Sequence, residues 1–232
     1  MDSVSNKSFL SYCRESVSRS VDNNSKMKIS RFLGSVCITM LISASGRVFA
    51  LQGESIYIKA ITGGAYTMVS ETAGDIQLSF SGISALGYVQ VGGSLNKSFK
   101  VFGFTGIALA PSPKAKTENL KIDTVYSMQT IFDIGMGAAY YWRGGQFISL
   151  GMSLAQNYYK FNVYGYNVGT YTRHGWGSQV MLGQEFPLSP RFSLGVSGIF
   201  YYGRVADVGQ PPFQDAPVSN IYGGLAVSLT YD

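Results

Sequence analysis

Between Gln129 and Tyr159 the chain alternates bulky apolar residues with small or polar ones on both sides of Arg143-Gly144-Gly145. Adjacent glycines accept positive φ without steric cost, so they read as the turn of a tight β-hairpin. One face of that hairpin carries Phe132, Ile134, Met136, Ala138, Tyr140 and Trp142, then Ile148, Leu150, Met152 and Leu154. The other carries Gln129, Asp133, Gly135, Gly137 and Ala139, then Ser149, Gly151, Ser153, Ala155 and Asn157. A soluble sheet would bury the bulky face and coat the other with charge. A face of glycine, alanine and serine with one acid suits the lining of a narrow barrel better than contact with water. The pattern therefore predicts an inverted protein, with its bulky side chains against lipid and its small ones in a closed tube.

Composition narrows the choice. Charged residues make up 13% of the 232, about half of the roughly 25% usual in soluble domains. Glycines number 28, tyrosines 16 and phenylalanines 14. The body of the chain has no apolar run long enough for a membrane helix, which leaves alternating strands as the way through a bilayer. The formal charge of +5 is concentrated at the start, where the first fifty residues hold seven of the 18 lysines and arginines against three acids. From Leu51 onward 11 basic and 10 acidic residues remain, so no nucleic-acid partner is expected.

Met27-Lys28-Ile29-Ser30-Arg31 precedes an apolar segment over 32–44, followed by Ser45-Gly46-Arg47-Val48-Phe49-Ala50. These are the parts of a secretory signal over residues 27–50, expected to be cleaved between Ala50 and Leu51. Its apolar segment is too short to span a bilayer as a helix. Residues 1–26 read as a polar extension ahead of the signal, with Met27 as the expected start. Both cysteines, Cys13 and Cys37, fall in the part removed. The exported chain, 51–232, is then a single domain without disulfides or thiol chemistry.

That domain resolves into eight strand-like segments: 56–65, 78–95, 99–110, the two arms of the hairpin, 172–186, a segment beginning at Phe192, and 222–231. The connections alternate long and short, with the long ones at 67–75, 111–123, 165–171 and 207–218. An even strand number with short turns at one end predicts an all-β fold, an eight-stranded antiparallel up-and-down transmembrane β-barrel. Aromatics gather near strand ends, at Tyr140, Tyr141 and Trp142, at Trp176, at Phe186 and Phe192, at Tyr231, and at Tyr158, Tyr159 and Tyr164. They are expected to form interfacial belts, with ring bodies in lipid and polar tips in water. Parity sends Lys59, Lys100, Asp133 and Glu185 inward, where they are expected to neutralise one another as one ion-pair cluster that plugs the tube.

Chemical signals are weak. His174 is the only histidine, and Ser178 and Glu185 follow it, a set that could in principle act on a lipid ester. The spacing places His174 at one end of its strand and Glu185 near the other, which argues against catalysis. Gly135-x-Gly137 runs on as strand and opens no helix, so it is no dinucleotide loop. No catalytic residue, cofactor or metal site is expected.

From Leu51 to Asp232 the pattern resembles the small eight-stranded outer-membrane barrels of the OmpX, OmpA-transmembrane-domain and opacity-protein type. The last strand, Tyr222-Gly223-Gly224-Leu225-Ala226-Val227-Ser228-Leu229-Thr230-Tyr231, is similar to the assembly-signal strand of that family, which ends in an aromatic. Here Asp232 follows the aromatic, which departs from the pattern. The resemblance implies an outer-membrane location, contact with membrane lipid and lipopolysaccharide, and recognition by the barrel-assembly machinery. The function expected is that of a structural, surface-exposed barrel whose four long loops contact a host or extracellular ligand. A narrow ion or small-solute channel and a lipid A-modifying enzyme are the alternatives.

Overall fold

The computed structural model describes residues 56–73, 76–111, 113–117, 126–142, 144–163, 166–207 and 215–232. The signal segment and its cleavage point at Ala50 and Leu51 lie outside these. The strands are β1 (Ile56–Ala73), β2 (Ile76–Ser94), β3 (Phe99–Pro111), β4 (Lys114–Thr117), β5 (Tyr126–Tyr141), β6 (Gln146–Val163), β7 (Tyr166–Tyr171), β8 (Gly175–Pro187), β9 (Phe192–Ala206) and β10 (Pro217–Tyr231). Eight of them form a ring in the order β1, β2, β3, β5, β6, β8, β9, β10, and β10 pairs back onto β1. All pairings are antiparallel. The closed ring satisfies the backbone groups that lipid cannot. The two short strands extend it at one end. β4 takes up the line of β3 along β2 beyond Pro113, and β7 precedes β8 along β6.

Local chemistry fixes the short turns, which share the opposite end. Gly144 and Gly145 sit at φ +90° and +83°, and the Trp142 amide donates to the Gln146 carbonyl at 2.9 Å. Asn96 Oδ1 accepts from the amides of Ser98 and Phe99, both at 2.8 Å, an Asx turn that joins β2 to β3. Between β8 and β9, Ser189 Oγ accepts from the Phe192 amide at 3.1 Å. Such short turns mark the periplasmic end of an outer-membrane barrel.

The exterior is apolar around its girth. Ile83, Leu225, Met136 and Met152 each expose about two thirds or more of their surface. Joined in one band, such residues would aggregate in water. Aromatic pairs flank the band. Tyr140 meets Trp142 edge-on at 5.3 Å and Phe192 meets Tyr231 at 5.3 Å at the short-turn end, while Trp176 lies 5.5 Å from Tyr202 at the other.

The inner face departs from expectation. It is not a tube of small residues, because Tyr57, Tyr88, Phe102, Phe104, Phe147, Tyr201 and Tyr222 are buried in it. Their rings fit because glycines lie beside them on the neighbouring strands. A Cβ on Gly106 would overlap the Tyr88 ring, one on Gly177 the Tyr201 hydroxyl, and one on Gly137 the Phe102 ring. The outward Gly64 is different, since its nearest neighbour for a Cβ is 3.9 Å away. Gly106→Ala should therefore cost about 1–3 kcal/mol through overpacking, whereas Gly64→Ala should stay within about 0.5 kcal/mol. Urea titration of the refolded barrel, followed by the shift in gel mobility on heating, measures both.

Three further expectations are corrected. Most of 67–75 is strand, since β1 runs on to Ala73 with Thr67, Val69 and Glu71 buried and Met68 and Thr72 exposed. Its polar residues mark departure from lipid rather than a turn. Likewise 111–123 contains β4, 165–171 is nearly all β7, and 207–218 ends in β10. Tyr141 and Tyr159 point into the lumen rather than the interface, because they alternate with outward Tyr140 and Tyr158.

Candidate functional site: the lumen and its outer rim

Parity along the ring brings charged and polar side chains together in three layers. Nearest the short turns, Lys59 from β1 donates to Glu185 Oε1 from β8 at 2.7 Å, with 1% and 8% of the two side chains exposed. The same oxygen accepts from Tyr141 at 3.0 Å and Thr230 at 2.9 Å. The Lys59 ammonium also lies 3.7 Å from the centre of the Phe147 ring. A buried pair held by this many contacts offsets its own desolvation. Beside it Lys100 pairs with Asp232, which also accepts from Ser94 Oγ at 2.9 Å. The residue after the terminal aromatic thus joins β10 to β2 and β3 across the ring.

The expected single cluster is therefore wrong. Lys59 and Glu185 pair, Lys100 takes Asp232, and Asp133 stands apart in the middle layer. Ring closure sets this, because Asp133 faces Gly106 across the β3–β5 pair and looks into a group of tyrosines. Tyr88 donates to Asp133 Oδ2 at 3.0 Å and its hydroxyl meets that of Tyr222. Tyr222 stacks on Tyr201 with ring centres 4.6 Å apart. Between the lower and middle layers, Ser149, Gln179, Ser197 and Ser228 are buried without a protein partner for their hydroxyl or amide groups.

At the outer end Asn157 and Asn220 exchange two hydrogen bonds of 2.8 and 3.0 Å, and Asn157 also reaches the Tyr159 hydroxyl at 3.0 Å. Above them, beyond the apolar band, Glu71 is buried and hydrogen-bonded to Asp207. Burial, and then Asp207, push the Glu71 carboxyl up to about 9. The sequence reading missed this pair because both residues fell in segments read as loops. Continuing the two-residue period of β1 past Ala65 would have turned Glu71 inward.

The interfacial aromatics Tyr140, Trp142, Trp176 and Phe192 face outward, each with between 42% and 47% of its surface exposed, and Tyr231 is half-buried against Phe192. His174 is exposed ahead of β8 at the outer end. Ser178 turns outward and bonds the Tyr202 carbonyl at 3.5 Å, while Glu185 is bound to Lys59 at the other end of the strand. The three do not meet. Among the described residues no group of three or more histidine, cysteine or acidic side chains could hold a metal.

A closed ring of eight antiparallel strands, apolar outside and polar within, defines a small transmembrane β-barrel of the outer-membrane type. Its place is the outer membrane. Solved structures of similar fold include Neisserial surface protein A, at 16% identity over 76% of this chain and 99% of that one, with a TM-score of 0.46. Another is Ail, the attachment invasion locus protein of Yersinia pestis, at 11% identity, 75% and 99% coverage and a TM-score of 0.42. A third is the outer-membrane protein AlkL, at 10% identity, 77% and 91% coverage and a TM-score of 0.47. No family model matches the chain, and no curated protein does.

Proposed function

We propose that the protein is a non-enzymatic surface barrel, whose outer strand extensions and loops contact a host or other extracellular ligand. The observation that carries this reading is strand length. β1 has 18 residues and β2 has 19, whereas a tilted crossing takes roughly 9–11. The excess, with β4 and β7 laid alongside, stands outside the membrane as paired sheet. Ordered strands present side chains for contact at a smaller entropic cost than loose loops. Cells displaying the intact barrel should adhere to cultured epithelial monolayers. Replacing residues 70–79 by a short Gly-Ser turn should remove adherence while the barrel stays folded on gels. Equal adherence with and without the barrel would sink the reading.

A second reading, a narrow channel, is favoured by one observation, the unpartnered hydroxyl and amide groups of Ser149, Gln179, Ser197 and Ser228. Buried polar groups of this kind are satisfied by water. Conductance of the refolded protein in planar bilayers distinguishes the two, since a barrel closed by its side chains passes no current.

A further inference from the structure

The lumen is electrically lopsided. Among the described residues the two buried lysines, Lys59 and Lys100, both lie at the periplasmic end and are bound there to Glu185 and Asp232. The outer end carries acid. Register explains how two carboxyls meet there. Glu71 on β1 faces Val218 on β10, and Val218 faces Val205 on β9. Asp207 lies two residues beyond Val205 and so shares its inward face. Its amide donates to the Ala216 carbonyl at 3.0 Å. The two acids thus flank β10 and meet over small, buried Ala216 and Val218. Glu71 itself is 94% buried, yet its Oε1 has no hydrogen-bond partner. Tyr159 lies within electrostatic reach of both carboxyls. The nearby Arg173 is exposed and bound to Asp215 at 2.6 Å.

We propose that the outer rim binds a hard divalent cation, calcium or magnesium, with the carboxylates of Glu71 and Asp207 as its two charged ligands. Such ions take oxygen ligands, and calcium tolerates the irregular geometry that a strand rim offers. The partnerless Glu71 oxygen is the atom that gains most. The ion would tie β1 to the segment that follows β9, and so fix the base of the outer connection between β9 and β10. It goes beyond the contact reading, because the rim would hold the ion whether or not the outer strands meet a ligand.

Binding releases any proton the two carboxyls share as the ion enters. Among the described residues, Asp207 beyond β9 and Tyr159 from β6 face Glu71, with the neutral Asn157 and Asn220 below. Terbium, an oxygen-seeking stand-in for calcium that tyrosine can sensitise, serves as the probe on the barrel refolded in detergent. Saturable emission, displaced by calcium chloride, is expected. Glu71→Gln and Asp207→Asn should each weaken it at least about tenfold while keeping the heat-dependent gel shift, and exposed Asp215→Asn should leave it unchanged. Emission that is not saturable, or that is equal in Glu71→Gln, overturns the proposal and leaves a pair of carboxyls sharing a proton.

Discussion

Lys59→Ala should be among the most damaging single changes to this barrel, costing about 3–5 kcal/mol. The substitution removes a cation but leaves Glu185 buried, with Tyr141 and Thr230 still donating to it. Two hydroxyl donors do not replace an ammonium at 2.7 Å, and the carboxylate must stay uncompensated or take up a proton. Glu185→Ala should be similarly costly for the converse reason, since Lys59 would keep only the Phe147 ring. The double change Lys59→Met with Glu185→Leu should recover most of the loss, because apolar residues of similar volume often replace a buried pair at little cost. Urea unfolding of the unaltered protein, Lys59→Met, Glu185→Leu and the double change in one detergent gives the coupling energy of the cycle. If the two single changes simply add, the pair contributes nothing and the lower lumen is held by its aromatic packing alone.

Much of this was legible in the sequence, and the limits have physical causes. The hairpin around Gly144 and Gly145 is a local matter, as two residues at positive φ and the alternation on either side define it. The inward direction of Lys59, Lys100, Asp133 and Glu185 follows from parity within one strand. Their partners do not, because which layer meets which depends on the stagger accumulated around the closed ring. Lys100 finds Asp232 only when β10 returns to β1. Asp133 is placed among tyrosines because Gly106 leaves room for the Tyr88 ring, a fit across strands that no single strand records. Polarity misled the reading at 67–73. Those residues leave the membrane but keep pairing, so polarity alone places Glu71 in a loop where the strand in fact continues.

Placing a charge on the outside tests the inversion directly. Met152 lies outward on β6 opposite Met136, one residue from the midpoint between outward Ile148 beside Tyr140 and outward Leu154 beside Trp176. That position corresponds to the centre of the apolar band. Met152→Arg should therefore cost about 2–4 kcal/mol in a lipid bilayer, the range for arginine at the midplane of such barrels. Met68→Arg, near the outer rim on β1, should cost about 0–1 kcal/mol, since the guanidinium can reach the headgroups. The two methionines are both substantially exposed, at 68% and 46%, so a protein surrounded by water would tolerate both changes alike. Depth in lipid is what separates them. Unfolding titrations in bilayer vesicles measure the difference, and equal small costs at the two sites would mean that this surface does not face hydrocarbon.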